Sequence, residues 1–348
     1  SSRDAMPATV TPLACSMAGI TFFMPISAVL MMPQTTGFMR FPFLRCASIL
    51  GALACAAKIG ENAFSQFRGP HVPLISYPDA SPDMAALLQS WKLPGGVTLA
   101  LEQGSVDSEQ VLIERCKAAD AILLGWAKVT RGVMEACPNL KIVSFTGIGA
   151  ADYVDFDAAK ARGIRVANTP GYGDRTVAEH AIALLFAVSR QVPRFDAATR
   201  GGKWVQEPPG LELKGKRIGL VGFGPIAREM ARMALGLGLE VVAWTRNAGK
   251  YRRSFSTVKF VDLAKLFAMS DIVSLHLSLN SATAGLIDAA LLNRLKPGAI
   301  VINTARGGLM DYDCLEKLLA EGRLYGAGLD VFPDEPVAGG ALKSRLTT

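Results

Sequence analysis

The chain has 348 residues, of which 50% are hydrophobic and 19% are charged, and this balance excludes a generally disordered chain. Such a length predicts two domains, because one domain usually takes about 100 to 200 residues. The formal net charge is +7, yet no basic stripe with interleaved aromatic residues occurs, so we expect no nucleic-acid partner.

The cysteines and histidines argue against a disulfide framework and against a metal centre. Six cysteines are scattered along the chain without any C-x-x-C pair. Three histidines occur, His71, His180 and His276, and none has helical spacing to another. We therefore expect neither structural disulfides nor a bound metal.

Residues 1–71 differ in composition from the rest of the chain and are left out of the fold prediction. No charged residue occurs from position 5 to position 39, but Pro12, Pro25 and Pro33 interrupt or bound the apolar stretch, which disfavours a membrane span. Residues 39–57 resemble a cleavable targeting peptide, with a basic start, an apolar centre and an Ala-Leu-Ala cleavage-site pattern at 52–54. A non-native upstream reading explains the same segment, and both interpretations stay open.

From residue 72 onward, short apolar runs alternate with helical patterns. Alternation with short connections predicts parallel strands crossed by helices, and we assign residues 72–171 to a first domain of this kind. Its predicted strands are residues 72–76, 97–101, 121–124, 141–145 and 164–167, and its predicted helices are residues 84–91, 108–117, 130–136 and 155–162.

A second domain, residues 172–348, opens with a long apolar helix over residues 176–190 and repeats the alternation more strongly. The chain is therefore predicted to be α/β, with two doubly wound parallel-sheet domains. The predicted strands of the second domain are residues 217–221, 240–244, 271–276, 299–303 and 324–330, with a helix over residues 226–237.

A G-x-G-x-x-A motif over residues 222–227 follows the strand at 217–221 and opens the helix after it. Gly222 allows a tight turn, and Gly224 lets the backbone approach a pyrophosphate. The helix N-terminus, at Pro225 and Ile226, then supplies amide hydrogens and the positive end of a dipole. This context predicts a dinucleotide site, and the alternative is a tight strand-to-helix turn without a ligand.

The end of the next strand bears on the choice between the two nicotinamide cofactors. An NAD site usually carries Asp or Glu there, whereas this chain has the neutral Thr245 followed by Arg246. A guanidinium can bind a 2′-phosphate through two hydrogen bonds, which slightly favours NADP over NAD. The alternative is a solvated loop arginine.

Several long motifs in the second half, together with two near the domain boundary, resemble the D-isomer-specific 2-hydroxyacid dehydrogenases. The resemblance covers residues 72–336 and includes glyoxylate or hydroxypyruvate reductases and phosphoglycerate dehydrogenase-like enzymes. The motifs are residues 168–171 (NTPG), 176–180 (TVAEH), 271–276 (DIVSLH), 302–310 (INTARGGLM) and 326–336 (GAGLDVFPDEP).

The resemblance implies a flavodoxin-like substrate domain, a Rossmann cofactor domain and an active site in the cleft between them. It assigns Arg306 to binding the substrate carboxylate and keto oxygen. Glu335 matches the carboxylate that pairs with a catalytic histidine and raises its pKa. Without the resemblance, either residue could be half of a surface ion pair.

The histidine that the resemblance places after Glu335 is not found, because the 13 residues that follow Glu335 contain none. His276 lies at a strand end, His180 lies at the start of a helix where packing is expected, and neither matches that position. We therefore expect the polypeptide as written to bind cofactor but to turn over about 10² to 10⁴ times more slowly for lack of the proton donor.

Matching positions imply further contacts with the cofactor and with the substrate. On the substrate side, Ile148 and Gly149 end a strand and could offer backbone amides to a carboxylate, although such glycine-rich ends are also ordinary turns. The cofactor contacts implied by the resemblance are Thr176, Pro225, Ile226, Leu277, Ser278, Thr283, Thr304, Ala305 and Asp330.

Two functions stay open. The first is an NAD(P)-dependent oxidoreductase that transfers a hydride between nicotinamide and a small 2-keto or 2-hydroxy acid, such as glyoxylate or hydroxypyruvate. The second is a catalytically impaired, cofactor-sensing interaction protein that resembles the C-terminal-binding-protein corepressors. The resemblance further implies a cytoplasmic homodimer joined through the cofactor domain, unless the N-terminal segment is a targeting peptide.

Overall fold

The computed structural model describes residues 72–90 and 96–335. The predicted N-terminal extension, with its apolar stretch and its targeting motif, lies outside these residues. Within the two described ranges, no helix combines the length and the apolar character that a bilayer crossing needs.

The first half of the described chain forms a five-stranded sheet in the order β2-β1-β3-β4-β5, and every strand pair is parallel. This strand order is that of flavodoxin-like folds, which confirms the predicted class of the first half. The strands are β1 (Leu74–Ala80), β2 (Thr98–Gln103), β3 (Ala121–Leu124), β4 (Ile142–Phe145) and β5 (Arg165–Ala167).

Each of the four helices that connect these strands starts at a side chain that accepts a hydrogen bond from a first-turn amide. The N-cap residues are Ser81, Ser108, Thr130 and Asp155. The helices are α1 (Pro82–Gln89), α2 (Glu109–Cys116), α3 (Arg131–Ala136) and α4 (Phe156–Ala161).

Strand β1 differs from the prediction, since it starts two residues later and runs on to Ala80. It passes through Pro78, and the register with β2 shifts between Tyr77 and Ala80, which tolerates a residue without an N–H group. Beyond that proline, the buried Asp79 accepts backbone hydrogen bonds from Gly125 at 2.9 Å, from Ala127 at 2.7 Å and from Trp126. The carboxylate thereby fixes the loop after β3 at the carboxyl edge of the sheet.

The second half forms a six-stranded parallel sheet in the order β11-β10-β9-β6-β7-β8, the strand order of a Rossmann fold. Three strands match the predicted bounds, and the two-residue β8 is not predicted because so short a run carries no periodic signal. The strands are β6 (Arg217–Val221), β7 (Glu240–Trp244), β8 (Lys259–Phe260), β9 (Ile272–Leu275), β10 (Ala299–Asn303) and β11 (Leu324–Leu329).

Helices cover both faces of this second sheet. Alternate side chains of β6 point to opposite faces, so Ile218 and Leu220 pack in one apolar cluster while Val221 packs in the other. The helices are α5 (Asp174–Ser189), α6 (Val192–Arg200), α7 (Pro225–Gly236), α8 (Leu263–Met269), α9 (Ala289–Leu292) and α10 (Tyr312–Ala320). The boundary predicted at residues 171 and 172 falls between β5 and α5.

Candidate active site

The turn from β6 into α7 has the shape that a close ligand approach requires. Gly222 has a φ of +94°, and a Cβ atom there would lie 2.5 Å from the carbonyl oxygen of His276. The backbone conformation and the close packing therefore both require glycine at this position. At Gly224, by contrast, a Cβ atom would meet nothing within 4 Å. Gly224 caps α7 without a side-chain hydrogen bond and Pro225 opens the helix, which leaves the first-turn amides open to an anion.

Two buried hydroxyl groups lack a hydrogen-bond partner within the part of the chain that the structure describes. They are Thr176 Oγ1, on the first turns of α5, and Thr304 Oγ1, immediately after β10. Buried polar atoms in folded proteins are nearly always paired, so an orphaned hydroxyl indicates a missing partner. Both threonines are among the predicted cofactor contacts, and the residues present therefore fit a bound dinucleotide.

The remaining predicted cofactor residues lie along the carboxyl edge of the same sheet. Thr245 and the exposed Arg246 follow β7, and within the described chain no hydrogen bond or ion pair occupies the Arg246 guanidinium. Leu277 packs with the core, and Ser278 is exposed beside it. Ile226 packs against the core from α7.

The hydroxyl of Thr283, another predicted cofactor contact, makes hydrogen bonds within its own loop. Thr283 Oγ1 donates to the carbonyl oxygen of Ser278 at 2.6 Å and accepts from the amide of Asn280 at 2.9 Å. The side chain is also buried. Its observed contacts therefore hold the loop in shape.

Arg306 joins the two halves of the chain. Its Nε donates to Asp152 Oδ2 at 2.6 Å, and its Nη1 donates to the carbonyl oxygen of Ala305 at 2.7 Å. A Cβ atom on Gly149 would lie 2.4 Å from Arg306 Nη2, so the guanidinium touches the loop after β4. In that loop, the carbonyl oxygen of Ile148 accepts from Asn168 Nδ2 at 2.6 Å. The predicted substrate residues thus lie beside the predicted substrate arginine.

Glu335 is exposed near the end of the described chain, where its Oε1 accepts from the amide of Phe332 at 2.8 Å. Burial raises the pKa of Tyr153, the positive charge of Arg306 opposes that shift, and the carboxylates of Asp152 and Glu335 add to it. The phenol of Tyr153 therefore lies within electrostatic range of Arg306, Asp152 and Glu335. Sequence reasoning missed Asp152, although its position three residues after Gly149 puts it at the same sheet edge.

The two described histidines have different surroundings. Burial lowers the pKa of His276 to about 4, and its Nε2 lies 2.9 Å from Ser274 Oγ, so it is neutral at pH 7. His180, predicted only to pack, lies with Nε2 3.3 Å from Asp330 Oδ1, a contact that sequence spacing gives no means to foresee. Within the described ranges, no group of three or more His, Cys, Asp or Glu side chains could hold a metal ion.

Comparison with known proteins identifies the family. Residues 182–346 match the family described as D-isomer specific 2-hydroxyacid dehydrogenase, NAD binding domain. The chain is 41% identical over 210 residues to hydroxypyruvate reductase from Thermotoga maritima, which covers 60% of this chain and 67% of that relative. It is also 41% identical over 227 residues to D-3-phosphoglycerate dehydrogenase from Mycobacterium bovis, covering 65% of this chain but only 43% of that longer protein.

A solved structure gives the same result for the fold. The crystal structure of a glyoxylate reductase from Paecilomyes thermophila superimposes with a TM-score of 0.69 at 28% identity, covering 80% of this chain and 87% of that one. None of these similarities favours the corepressor-like alternative. The chain therefore belongs to the D-isomer specific 2-hydroxyacid dehydrogenases, oxidoreductases that act on the CH–OH group of 2-hydroxy acids with a nicotinamide cofactor.

Proposed function

We propose that this chain reduces a small 2-keto acid, with glyoxylate and hydroxypyruvate as the first candidates, and that the substrate binds between Arg306 and the loop at Ile148 and Gly149. The observation that carries the proposal is the contact of Arg306, from the cofactor half, with Gly149, from the other half. A 2-keto acid has a carboxylate and a keto oxygen side by side, which suits a cation backed by backbone amides.

Arg306 has two tasks in this proposal. With Nε on Asp152 and one Nη1 hydrogen on Ala305, the remaining N–H groups lie at the outer edge of the guanidinium. A planar fork of this kind holds a carboxylate and a keto oxygen in one plane and so fixes the reacting carbon. The same positive charge stabilises the negative charge that develops on the keto oxygen during hydride transfer.

The cofactor would lie across the carboxyl edge of the second sheet. The open first turn of α7 at Gly224 and Pro225 would bind the pyrophosphate, and the orphaned hydroxyls of Thr176 and Thr304 would gain partners. Asp330, directly after β11, would accept from the carboxamide. The nicotinamide supplies the hydride when it is bound in its reduced form.

The resemblance assigns Glu335 to the proton-transfer step, as the carboxylate partner of an imidazole. A carboxylate beside an imidazole favours the protonated ring, which then donates to the keto oxygen as reduction proceeds. His276 is unsuited to this task, because a pKa of about 4 leaves its ring without the extra proton at neutral pH. Within the described residues no histidine contacts Glu335, so we propose that water supplies the proton to the keto oxygen and that turnover is about 10² to 10⁴ times slower than with a histidine donor.

The preference for NADP over NAD rests on Arg246. The side chain is exposed directly after β7, where the adenosine ribose of a dinucleotide lies in a Rossmann fold. No carboxylate competes at Thr245, so a 2′-phosphate meets only a positive charge. The exposed arginine supports NADPH as the physiological reductant.

We also propose a homodimer in which a second copy covers the apolar side chains around α6. Trp204 is 88% exposed and Val192 is 54% exposed, and Phe186 and Val205 are exposed in the same segment. Several large exposed apolar side chains in one segment of the chain support an interaction surface there. Size measurement of the parent and of Trp204→Ser tests this, and a parent that is monomeric at every concentration would exclude it. The cytoplasmic location stays a prediction.

The experiment for the main proposal is steady-state oxidation of NADPH and NADH by the purified chain with glyoxylate, hydroxypyruvate and pyruvate. We expect cofactor binding, and slow turnover that depends on both the cofactor and the keto acid. Arg306→Lys keeps the charge but loses the planar fork, so its kcat/KM should fall at least about 100-fold. Absence of binding by either dinucleotide would refute the proposal.

A further inference from the structure

We propose that Asp152 is a positioning residue for the reaction: it reaches across from the first half of the chain and holds the Arg306 guanidinium so that its outer edge faces the substrate. This inference rests on the proposed function of Arg306. It adds a carboxylate that the sequence did not indicate as part of the site.

The local backbone fixes where Asp152 lies. It ends a short 3-10 turn, Ala150–Asp152, that follows Gly149 in the loop after β4. The amide of Asp152 donates to the carbonyl oxygen of Gly149 at 3.4 Å, which closes the turn. The carboxylate is thus presented beside the loop that we assign to the substrate, at 2.6 Å from Arg306 Nε.

The hydrogen bonds of Arg306 leave one edge of the guanidinium open. A guanidinium has five N–H groups in a rigid plane. Asp152 takes the one on Nε and the carbonyl oxygen of Ala305 takes one on Nη1, so two anchors set both the position and the tilt of the plane. The three remaining N–H groups belong to Nη1 and Nη2, the pair that can hold two oxygens side by side.

Gly149 gives independent support for this placement. Its φ is −90°, a conformation that any residue adopts, so the backbone does not require glycine there. The packing around it does require glycine, because a Cβ atom would lie 2.4 Å from Arg306 Nη2 and 3.4 Å from Asp152 Oδ2. The absent side chain is thus needed for the arginine and aspartate to meet at this point.

Stability alone does not explain the pair. The side chain of Arg306 is 37% exposed and that of Asp152 is 27% exposed. Ion pairs that water reaches contribute only about 0 to 1 kcal/mol to folding, so loss of this one should barely change stability. Its larger effect is on the orientation of the guanidinium.

Two substitutions separate orientation from charge. Asp152→Ala removes the anchor, and we expect kcat to fall about 10- to 100-fold, since a misplacement of about 1 Å can cost that much. Asp152→Asn keeps an oxygen that accepts from Nε but removes the negative charge. We expect it to retain kcat within about threefold, and to lower KM because the anionic substrate meets a more positive site. Asp157→Ala, on the exposed face of α4, is the matched control and should resemble the parent.

A second readout does not depend on activity. Phenylglyoxal modifies arginine side chains, and mass spectrometry of the digested chain gives the modification rate of Arg306 by itself. Without its anchor at Asp152, Arg306 should react at least about threefold faster in Asp152→Ala, while Asp157→Ala leaves the rate unchanged.

The two readouts keep the inference distinct from the proposed function. If the parent shows no turnover, the proposed function fails and the modification rate alone decides the role of Asp152. If Asp152→Ala leaves both kcat and the modification rate of Arg306 within twofold of the parent, the inference is wrong. Equal loss of kcat in Asp152→Ala and Asp152→Asn would likewise overturn it, because the amide retains the anchor.

Discussion

Replacement of Gly149 by alanine is the most specific perturbation that the site offers. The new methyl group would lie 2.4 Å from Arg306 Nη2, well inside van der Waals contact, so one of the two must move. The atom that it meets is the far end of a flexible side chain, and the φ of −90° suits alanine. The arginine should therefore move while the backbone stays in place.

The expected result is a large change in activity with little change in stability. A surface substitution without backbone strain alters the free energy of unfolding by about 0.5 kcal/mol or less. Displacement of the guanidinium by about 1 Å should lower kcat/KM for a 2-keto acid up to about 100-fold, which corresponds to about 2.7 kcal/mol of transition-state stabilisation. The Kd of the dinucleotide should stay the same, since Gly149 lies in the other half of the chain.

The assay combines thermal unfolding, dinucleotide titration and steady-state kinetics on Gly149→Ala and on a control. Gly236→Ala is the control, because a Cβ atom at Gly236 meets nothing within 4 Å. The double variant Gly149→Ala/Asp152→Ala should lose less than the sum of the single losses, since both changes act on the same guanidinium. Unchanged kcat/KM in Gly149→Ala would refute the placement of Arg306 in the substrate site.

Three further outcomes are expected. Gly224→Ala should lower the unfolding temperature only a little, since alanine is a poorer N-cap than glycine but its Cβ atom meets no described atom within 4 Å. It should weaken dinucleotide binding at least about tenfold by filling the pyrophosphate space, as isothermal titration would measure. Arg246→Ser should raise KM for NADPH at least about tenfold and leave KM for NADH within twofold, and equal effects on both would exclude a 2′-phosphate contact. Burial lowers the pKa of His276 from 6.5 to about 4, so the unfolded chain binds the extra proton at a higher pH than the folded chain does. The stability that depends on the neutral ring is complete above pH 6.5 and is lost as the pH falls toward 4. In denaturant unfolding, the free energy of unfolding of His276→Gln should therefore change less with pH across that window than that of the parent.

Much of the second sheet could be predicted because its strands are buried on both faces. The runs at Arg217–Val221, Glu240–Trp244 and Ala299–Asn303 are short, apolar and bounded by turn residues, and the structure confirms these bounds. The end of strand β1 was not predicted, because a proline such as Pro78 usually ends a strand, whereas here a shift of register carries the strand past it. The residues after Pro78 matter, since they bring Asp79 to the loop after β3.

The side-chain contacts of the site were mostly beyond sequence reasoning. Local patterns gave the glycine turn at Gly222, since a positive φ and a close backbone contact leave no alternative to glycine. The engagement of Thr283 within its own loop and the contact of His180 with Asp330 depend on side-chain directions that no spacing encodes.

The sequence by itself determined the class of the fold and the residues able to bind an anion, because hydrophobic period, glycine position and charge are local properties of the chain. Only the tertiary structure decided which of these residues come into contact with one another. Arg306 and Asp152 are 154 residues apart in sequence, and their ion pair exists because the loop after β4 in one sheet meets the loop after β10 in the other. That meeting is a property of how the two sheets are packed, and no stretch of sequence contains it.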